Sequence, residues 1–283
     1  MKTKGMDIKT TVLNFNNESN SPNLTLILFN LLRNKAKKRV HLINAYFNNA
    51  FVKEDADNLT CHVIHFNIPY LNKIKCSYCG RCVTYCSHDA RELKREVPCV
   101  TLDIHNCHGC MKCARSCTVN AITIQEIEVG KVFKTVIDNG STILSGTHKY
   151  GENHDMHIFK AINSEFDDAE TTIYEVPYTS ASVSRKAIVQ SDIVFVILPH
   201  YKDFDDEMRA LLFYIYKIGK KIVFLKKINT DVSFVIPAFI SNTETLYYNE
   251  HSNEIDDDLL QTEFKKIIKK FQSLKQKEIK ITS

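Results

Sequence analysis

Eight of the ten cysteines in this 283-residue chain fall into two short stretches that share one spacing. In each stretch three cysteines follow one another at steps of three residues, and a fourth follows after four. A chain of this length can bury a large core without covalent cross-links, so the pattern predicts metal or redox chemistry rather than structural disulfides. The eight residues are Cys76, Cys79, Cys82, Cys86, Cys107, Cys110, Cys113 and Cys117.

Composition and apolar runs indicate a cytoplasmic protein. The first residues contain no apolar segment of the kind found in secretory signals, and the longest apolar runs, 26–29 and 193–198, are too short to span a bilayer. In the reducing cytoplasm closely spaced cysteines remain thiols. The net charge of +4 comes from scattered lysines, so we expect neither a nucleic-acid partner nor a membrane partner.

The cysteine spacing predicts two [4Fe-4S] clusters. A C-x2-C-x2-C loop can supply three thiolates to a cubic cluster, but it cannot bring a fourth residue round to the same cluster. In the two-cluster arrangement the fourth thiolate comes from the other copy. The first predicted ligand set is Cys76, Cys79, Cys82 and Cys117, and the second is Cys107, Cys110, Cys113 and Cys86.

Zinc is the alternative occupant of a cysteine-rich site. Tetrahedral zinc sites use two pairs of ligands at separated turns, which the two closely spaced groups of four do not match. Gly80 and Gly109 lie inside the loops, where we expect a positive φ and close approach of the backbone. A proline usually follows each fourth cysteine, and here Ser87 and Thr118 replace it without removing a ligand.

Outside the cysteine segment, apolar runs alternate with helical patterns and predict an α/β domain. The first strand-helix-strand unit predicts a parallel pair, and continuous apolar runs are typical of buried parallel strands. Strands are predicted over 11–15, 40–45, 171–176, 192–198 and 220–225, and helices over 24–32, 182–190 and 204–218. Neither flank has enough strands for a full sheet, so residues 69–125 are predicted to interrupt one domain formed by 1–68 and 126–283.

Three stretches resemble the MinD/ParA-type P-loop ATPases that carry an inserted two-cluster bacterial-type ferredoxin domain. They are the opening strand, loop and helix with KKRVHLINAY, the loops CSYCGRC and CHGCMKC, and IYEVPYTSASVSRKAIVQSDIVFVIL. The resemblance covers nearly the whole chain. It implies a parallel-sheet P-loop NTPase-like domain with a small α+β ferredoxin-like insert. It also implies dimerisation, either with a second copy or with an intact MinD-like paralogue.

The loop between the first strand and the first helix departs from that family. A phosphate-binding loop needs glycines that present backbone N-H groups, a lysine that reaches the phosphates, and a hydroxyl for magnesium. Residues 16–23, NNESNSPN, contain neither glycine nor lysine, and Pro22 stands about where the family has its lysine. Glu18 would repel a triphosphate. Weak nucleotide binding through Ser19 or Ser21, without hydrolysis, is the alternative.

The carboxylates expected around a nucleotide are also altered. Asn44 stands where a carboxylate normally follows the second strand, and Glu175 ends the later strand. A site that lacks lysine and glycines lacks both the charge and the geometry needed to hold phosphates. We therefore expect a degenerate nucleotide site that binds no ATP or magnesium, and we assign no catalytic residue.

An amphipathic pattern near the C-terminus predicts a helix that packs on the sheet rather than on a membrane. Its apolar positions are Leu260, Phe264, Ile267, Ile268, Phe271 and Leu274.

Five other potential metal ligands have simpler interpretations. His148, His154 and His157 flank a polar segment without diagnostic spacing, so a solvated loop is favoured over a metal site. Cys61 and Cys99 lie on strand-like stretches and are expected to be small buried residues.

The leading hypothesis is an electron-transfer protein without enzymatic activity, whose partner is a redox protein or a metallocofactor client. The second is an active MinD-type ATPase that couples ATP to electron delivery. The third is a maturation scaffold that passes iron-sulfur clusters or metal to a client. Labile, transferable clusters would favour the third over the first.

Overall fold

The computed structural model describes residues 8–15, 22–36, 39–47, 58–104, 106–137, 140–149, 154–164, 171–198, 204–227, 240, 243–248, 250, 251, 254, 255, 262 and 264–269. Six helices are bounded in these ranges: α1 Pro22–Ala36, α2 Arg81–Thr84, α3 Lys112–Arg115, α4 Asp155–Ser164, α5 Ala181–Gln190 and α6 Asp206–Lys217. The strands are β1 Lys9–Asn14, β2 Val40–Asn44, β3 Leu59–Leu71, β4 Arg91–Lys94, β5 Cys99–Leu102, β6 Ile122–Val136, β7 Thr142–His148, β8 Thr171–Pro177, β9 Ile193–Ile197, β10 Lys221–Lys227, β11 Glu244–Tyr248, β12 Glu250–His251 and β13 Glu254–Ile255. All the strands and helices predicted outside the cysteine segment are present, with ends shifted by a few residues.

A nine-stranded sheet organises the described part of the chain, in the order β11-β10-β9-β1-β8-β2-β7-β6-β3. The seven strands from β11 to β7 are parallel, whereas β6 and β3 continue the sheet antiparallel. The predicted α/β class with a large, mostly parallel sheet is confirmed. The predicted direct pairing of the first two strands is wrong, because β8 lies between β1 and β2 and pairs with both.

Apolar side chains fill both faces of this sheet. On one face α4, α5 and α6 pack in the same core cluster as β8 and β9. On the other face α1 packs in a second cluster with Phe264, Ile267 and Ile268. The ring of Phe264 meets that of Phe195 edge-on with centroids 5.3 Å apart. The predicted packing of the C-terminal helix on the sheet is confirmed at these three positions; Leu260, Phe271 and Leu274 lie outside the described residues.

The cysteine segment lies between β3 and β6, the last two strands of the sheet, which extend beyond the end of β7. β3 and β6 pair antiparallel along their length, with one irregularity between Ile64 and His65. Between them lie α2, β4, β5 and α3, and β4 pairs with β5. The predicted borders at 69 and 125 both fall within β3 and β6, so the backbone runs continuously from the sheet into the cysteine segment.

The edge position of β3 explains one wrong prediction. Cys61 is exposed rather than buried, because β3 is the last strand of the sheet and Thr60 to Val63 face solvent. Cys99, on β5, is half-buried. Among the helices in the described ranges, none has the length and apolar character needed to cross a membrane.

Candidate functional site

The two cysteine stretches fold as repeats of one another. Each cysteine of the first lies 31 positions before its counterpart, and α2 and α3 correspond in the same way. Left-handed backbone conformations recur at matching positions. The matching pairs are Tyr78 with Gly109, Gly80 with Met111, and Asp89 with Asn120. Because non-glycine residues adopt this conformation infrequently, its repetition indicates that both loops need the same tight turns.

The predicted positive φ of the two loop glycines is confirmed, at 77° for Gly80 and 62° for Gly109. Gly109 also permits close packing, since a Cβ atom at this position would lie 2.9 Å from Cε2 of Phe66. A side chain at 109 would therefore displace the loop that carries Cys107 and Cys110.

The fourth cysteine of the first copy lies with the three leading cysteines of the second. A small cavity, partly open to solvent, is lined by Cys86, Cys107, Cys110 and Cys113. Cys86 also packs against the apolar cluster that contains Cys107. The structure therefore brings together the four residues of the second predicted set.

The first predicted set is brought together in part. Cys117 packs against the apolar cluster that contains Cys82, and Cys76 lies within electrostatic reach of Cys82. Cys79 is exposed at the end of its loop. Cys113 belongs to the same apolar cluster as Cys82, so the two sets adjoin. Within the described ranges, no three Cys, His, Asp or Glu side chains are grouped closely enough to hold a single metal ion.

Backbone N-H groups donate to the sulfur of both fourth cysteines. The amide of Ala90 lies 3.3 Å from Sγ of Cys86, and the amide of Ala121 lies 3.2 Å from Sγ of Cys117. These contacts tie each crossing sulfur to the backbone that follows it. In the first loop the amide of Tyr78 makes a similar contact of 3.4 Å with Sγ of Cys76.

Burial disfavours ionisation of two of the leading thiols. It raises the pKa of Cys82 and of Cys107, because a thiolate loses hydration there. In contrast, the backbone amide of Arg81 is the main cause that lowers the pKa of the exposed Cys79. Buried thiolates therefore need nearby positive charge.

One such charge comes from Arg91, the first residue of β4. Its side chain is buried and lines the same cavity as the second cysteine set. Its positive charge opposes the pKa increases of both Cys82 and Cys107. Nothing in the cysteine spacing points to Arg91 as a residue of the site.

The histidines show a second site feature that the sequence prediction missed. His154 and His157 are buried and His148 is half-buried, so the predicted solvated loop is wrong. The cause is α4, which packs on β6 and β7. The apolar spacing of Ile158, Phe159 and Ile162 was the available signal for this helix.

His157 links α4 to the second cysteine loop. Its Nε2 lies 2.9 Å from the carbonyl oxygen of Cys107, and its ring packs on Phe66 with centroids 3.7 Å apart. Burial lowers the pKa of His157 to about 4. The ring is therefore neutral at physiological pH, and its Nε2-H donates to the carbonyl.

A cationic surface surrounds the second cysteine set. The rings of His88 and His108 stack in parallel with centroids 3.6 Å apart, and Nζ of Lys160 lies 3.2 Å from Nε2 of His108. Burial and then the charge of Lys186 lower the pKa of Lys160. Lys112 donates to the hydroxyl of Ser87 at 3.2 Å. We call Lys112, Lys160 and Lys186 the cationic face.

A separate polar cluster lies at the carboxyl ends of the parallel strands. Nδ2 of Asn44 donates to Oε2 of Glu175 at 3.4 Å, and Glu175 is only 3% exposed. Burial raises the pKa of Glu175 to about 7. Burial, followed by the charge of Glu175, also raises the pKa of Tyr46. The predicted phosphate-loop residues Glu18, Ser19 and Ser21 lie outside the described residues.

Comparison with known proteins adds no identification. No family model matches the chain, and no curated protein matches its sequence.

Proposed function

We propose that this protein binds two [4Fe-4S] clusters and transfers electrons to or from a protein partner. The observation that carries the proposal is the position of Cys86, which shares a cavity with Cys107, Cys110 and Cys113 although it belongs to the other copy. The chemistry of a four-thiol cavity fits such a cluster. When bound, the cluster supplies reversible one-electron redox chemistry.

In this proposal each residue set has a defined task. Cys76, Cys79, Cys82 and Cys117 hold one cluster, and Cys107, Cys110, Cys113 and Cys86 hold the other. The amides of Ala90 and Ala121 stabilise the two crossing thiolates. The apolar clusters around Phe66 and Val100 limit access of water to the sulfurs.

For the architecture, we propose a MinD/ParA-type P-loop NTPase-like domain that carries residues 69–125 as a two-cluster ferredoxin-like insert. The parallel sheet with helices on both faces supports the first part. The repeat relation between α2 and α3, with β4 paired to β5, supports the second.

We infer that the α/β body is not an ATPase but a docking platform, either for a second copy or for an intact MinD-like paralogue. The composition of the loop at 16–23 and the polar cluster support this inference. A magnesium site needs ionised oxygen ligands. Here Asn44 is a neutral amide, and burial raises the pKa of Glu175 to about 7, so that its carboxyl is only partly ionised near pH 7.

The cationic face indicates the chemistry of the redox partner. Lys112, Lys160 and Lys186 form no ion pair with a described carboxylate, and the first two adjoin the second cysteine set through Ser87 and His108. Complementary charge accelerates encounter and fixes the orientation of partners. We therefore propose an acidic redox protein that docks at this face.

A maturation scaffold remains the second candidate because Cys79 and Cys110 are exposed. Exposed ligands would allow a client thiol to displace them. Rapid transfer of iron and sulfide to an apo-protein would favour this function. Stable clusters that undergo repeated reduction and oxidation would favour electron transfer.

The test of the main proposal is anaerobic reconstitution followed by iron and sulfide counting and EPR of the reduced protein. We expect about eight irons per chain. Replacing Cys86 by Ser should lower the iron content by about half and remove the signal of one cluster. Cys99→Ser is the matched control, because Cys99 lies in the same segment outside both sets. Zinc in anaerobically purified protein, or equal iron loss in both variants, would overturn the proposal.

A further inference from the structure

Arg91 breaks the repeat relation between the two cysteine stretches. Its counterpart 31 residues later is Ile122, and each is the first residue of its strand. Each also follows the alanine whose amide donates to a crossing thiol. Arg91 is 5% exposed and Ile122 is 7% exposed. A charged residue therefore occupies a position that the second copy fills with an apolar side chain.

Arg91 adjoins both cysteine sets. Arg91 lines the cavity formed with Cys107, Cys110, Cys113 and Cys86. Its charge also acts on Cys82, which belongs to the first set.

The hydrogen bonds of Arg91 do not account for its burial. One terminal nitrogen donates to the carbonyl oxygen of Pro69 at 2.9 Å, whereas Nε has no protein partner. Among the described residues, Arg91 forms no ion pair with a carboxylate. Burying a charge is unfavourable unless opposite charge lies nearby. The thiolates of the two sets supply that charge once they hold metal.

We propose that Arg91 sets the reduction potential of both iron-sulfur sites. This inference rests on the proposed function. Reduction adds one negative charge to a thiolate-ligated site, and a buried cation stabilises the reduced state more than the oxidised state. Arg91 therefore raises both potentials, and Ile122 contributes no such effect from the equivalent position.

The test is an EPR-monitored redox titration of the full-length, reconstituted Arg91→Ile variant, which copies the residue of the second repeat. We expect both midpoint potentials to become more negative. At a fixed potential the ratio of oxidised to reduced cluster should rise by about tenfold or more, and a tenfold change corresponds to 59 mV for one electron. Arg91→Lys should keep potentials close to those of the unmodified protein. Arg95→Ile, which removes the same charge from an exposed turn, should leave both unchanged.

The outcomes separate the inference from the proposed function. If the unmodified protein holds no iron-sulfur cluster, the function fails. If it holds two and the potentials of Arg91→Ile are unchanged, only the role of Arg91 fails. If Arg91→Ile loses its clusters, the comparison of Arg91→Lys with Arg91→Gln tests the role of the charge. More negative potentials in Arg91→Gln than in Arg91→Lys would support the inference. Equal potentials or equal iron loss in these two would show that Arg91 acts through its hydrogen bond to Pro69, which overturns the inference.

Discussion

Replacing Glu175 by Gln should stabilise the protein at alkaline pH. The carboxyl group of Glu175 is almost completely buried, and its polar neighbours include the neutral amide of Asn44, 3.4 Å away, and the hydroxyl of Thr25. Glutamine has nearly the same shape and retains an oxygen that accepts from Asn44. The substitution therefore removes the ionisable group with little change in packing.

The magnitude follows from the pKa of Glu175. Burial raises it from 4.5 to about 7, and one pKa unit corresponds to 1.36 kcal/mol, so the difference is about 3 kcal/mol. Because the folded pKa is raised, the contribution of the protonated carboxyl to stability is fully present below pH 4.5. It is lost as the pH rises through about 7.

The assay is urea denaturation of both proteins, matched for iron content, at several pH values between 5 and 8. The stability advantage of Glu175→Gln should be below about 1 kcal/mol at pH 5 and grow to about 3 kcal/mol at pH 8. Glu207→Gln, at an exposed position in the first turn of α6, should show no comparable trend. A constant difference between Glu175→Gln and the unmodified protein across this range would refute the argument.

Two further predictions concern the second cysteine set. The charge reversals Lys160→Glu and Lys186→Glu should slow electron transfer to an acidic redox protein by about tenfold or more at low salt. They should also weaken the dependence of this rate on salt, which stopped-flow absorbance measures. Rates equal to those of the unmodified protein at all ionic strengths would show that the cationic face is not the docking site. His157→Phe keeps a ring against Phe66 but loses the donor to the Cys107 carbonyl, so the free energy of unfolding should fall by about 1–3 kcal/mol. EPR should then show that iron dissociates sooner from the second set than from the first. Equal loss from both sets would show that His157 does not act locally on the second set.

The cysteine spacing indicated which cysteines would lie near one another at the second set. The C-x2-C-x2-C loop predicted that a fourth thiol comes from the other copy, and Cys86 lines the same cavity as Cys107. That these cysteines bind a cluster stays a prediction. Buried strands such as β9 were also predictable, because a strand covered on both faces reads as one apolar run. These signals are local, so they survive without knowledge of tertiary contacts.

The parts that could not be predicted depend on contacts distant in the chain. His157 lies 50 residues from Cys107 along the chain, and nothing in its neighbourhood indicates a cysteine loop as its partner. The exposure of Cys61 depends on β3 being the edge of the sheet. The order of the strands also depends on distant contacts, because β8, which lies between β1 and β2 in the sheet, follows them in the chain by more than a hundred residues.

The contacts of α4 argue that the cysteine segment and the α/β body act as one unit. Lys160 and His157 belong to a helix of the body, yet they contact His108 and the carbonyl of Cys107 in the segment. The cationic face is therefore complete only when both parts are present. Because β3 and β6 also run unbroken between them, a fragment limited to 69–125 would lose both part of the docking surface and the donor to its second cysteine loop. We expect such a fragment to bind iron less stably than the full chain, and equal retention of iron would show that the body contributes nothing to the site.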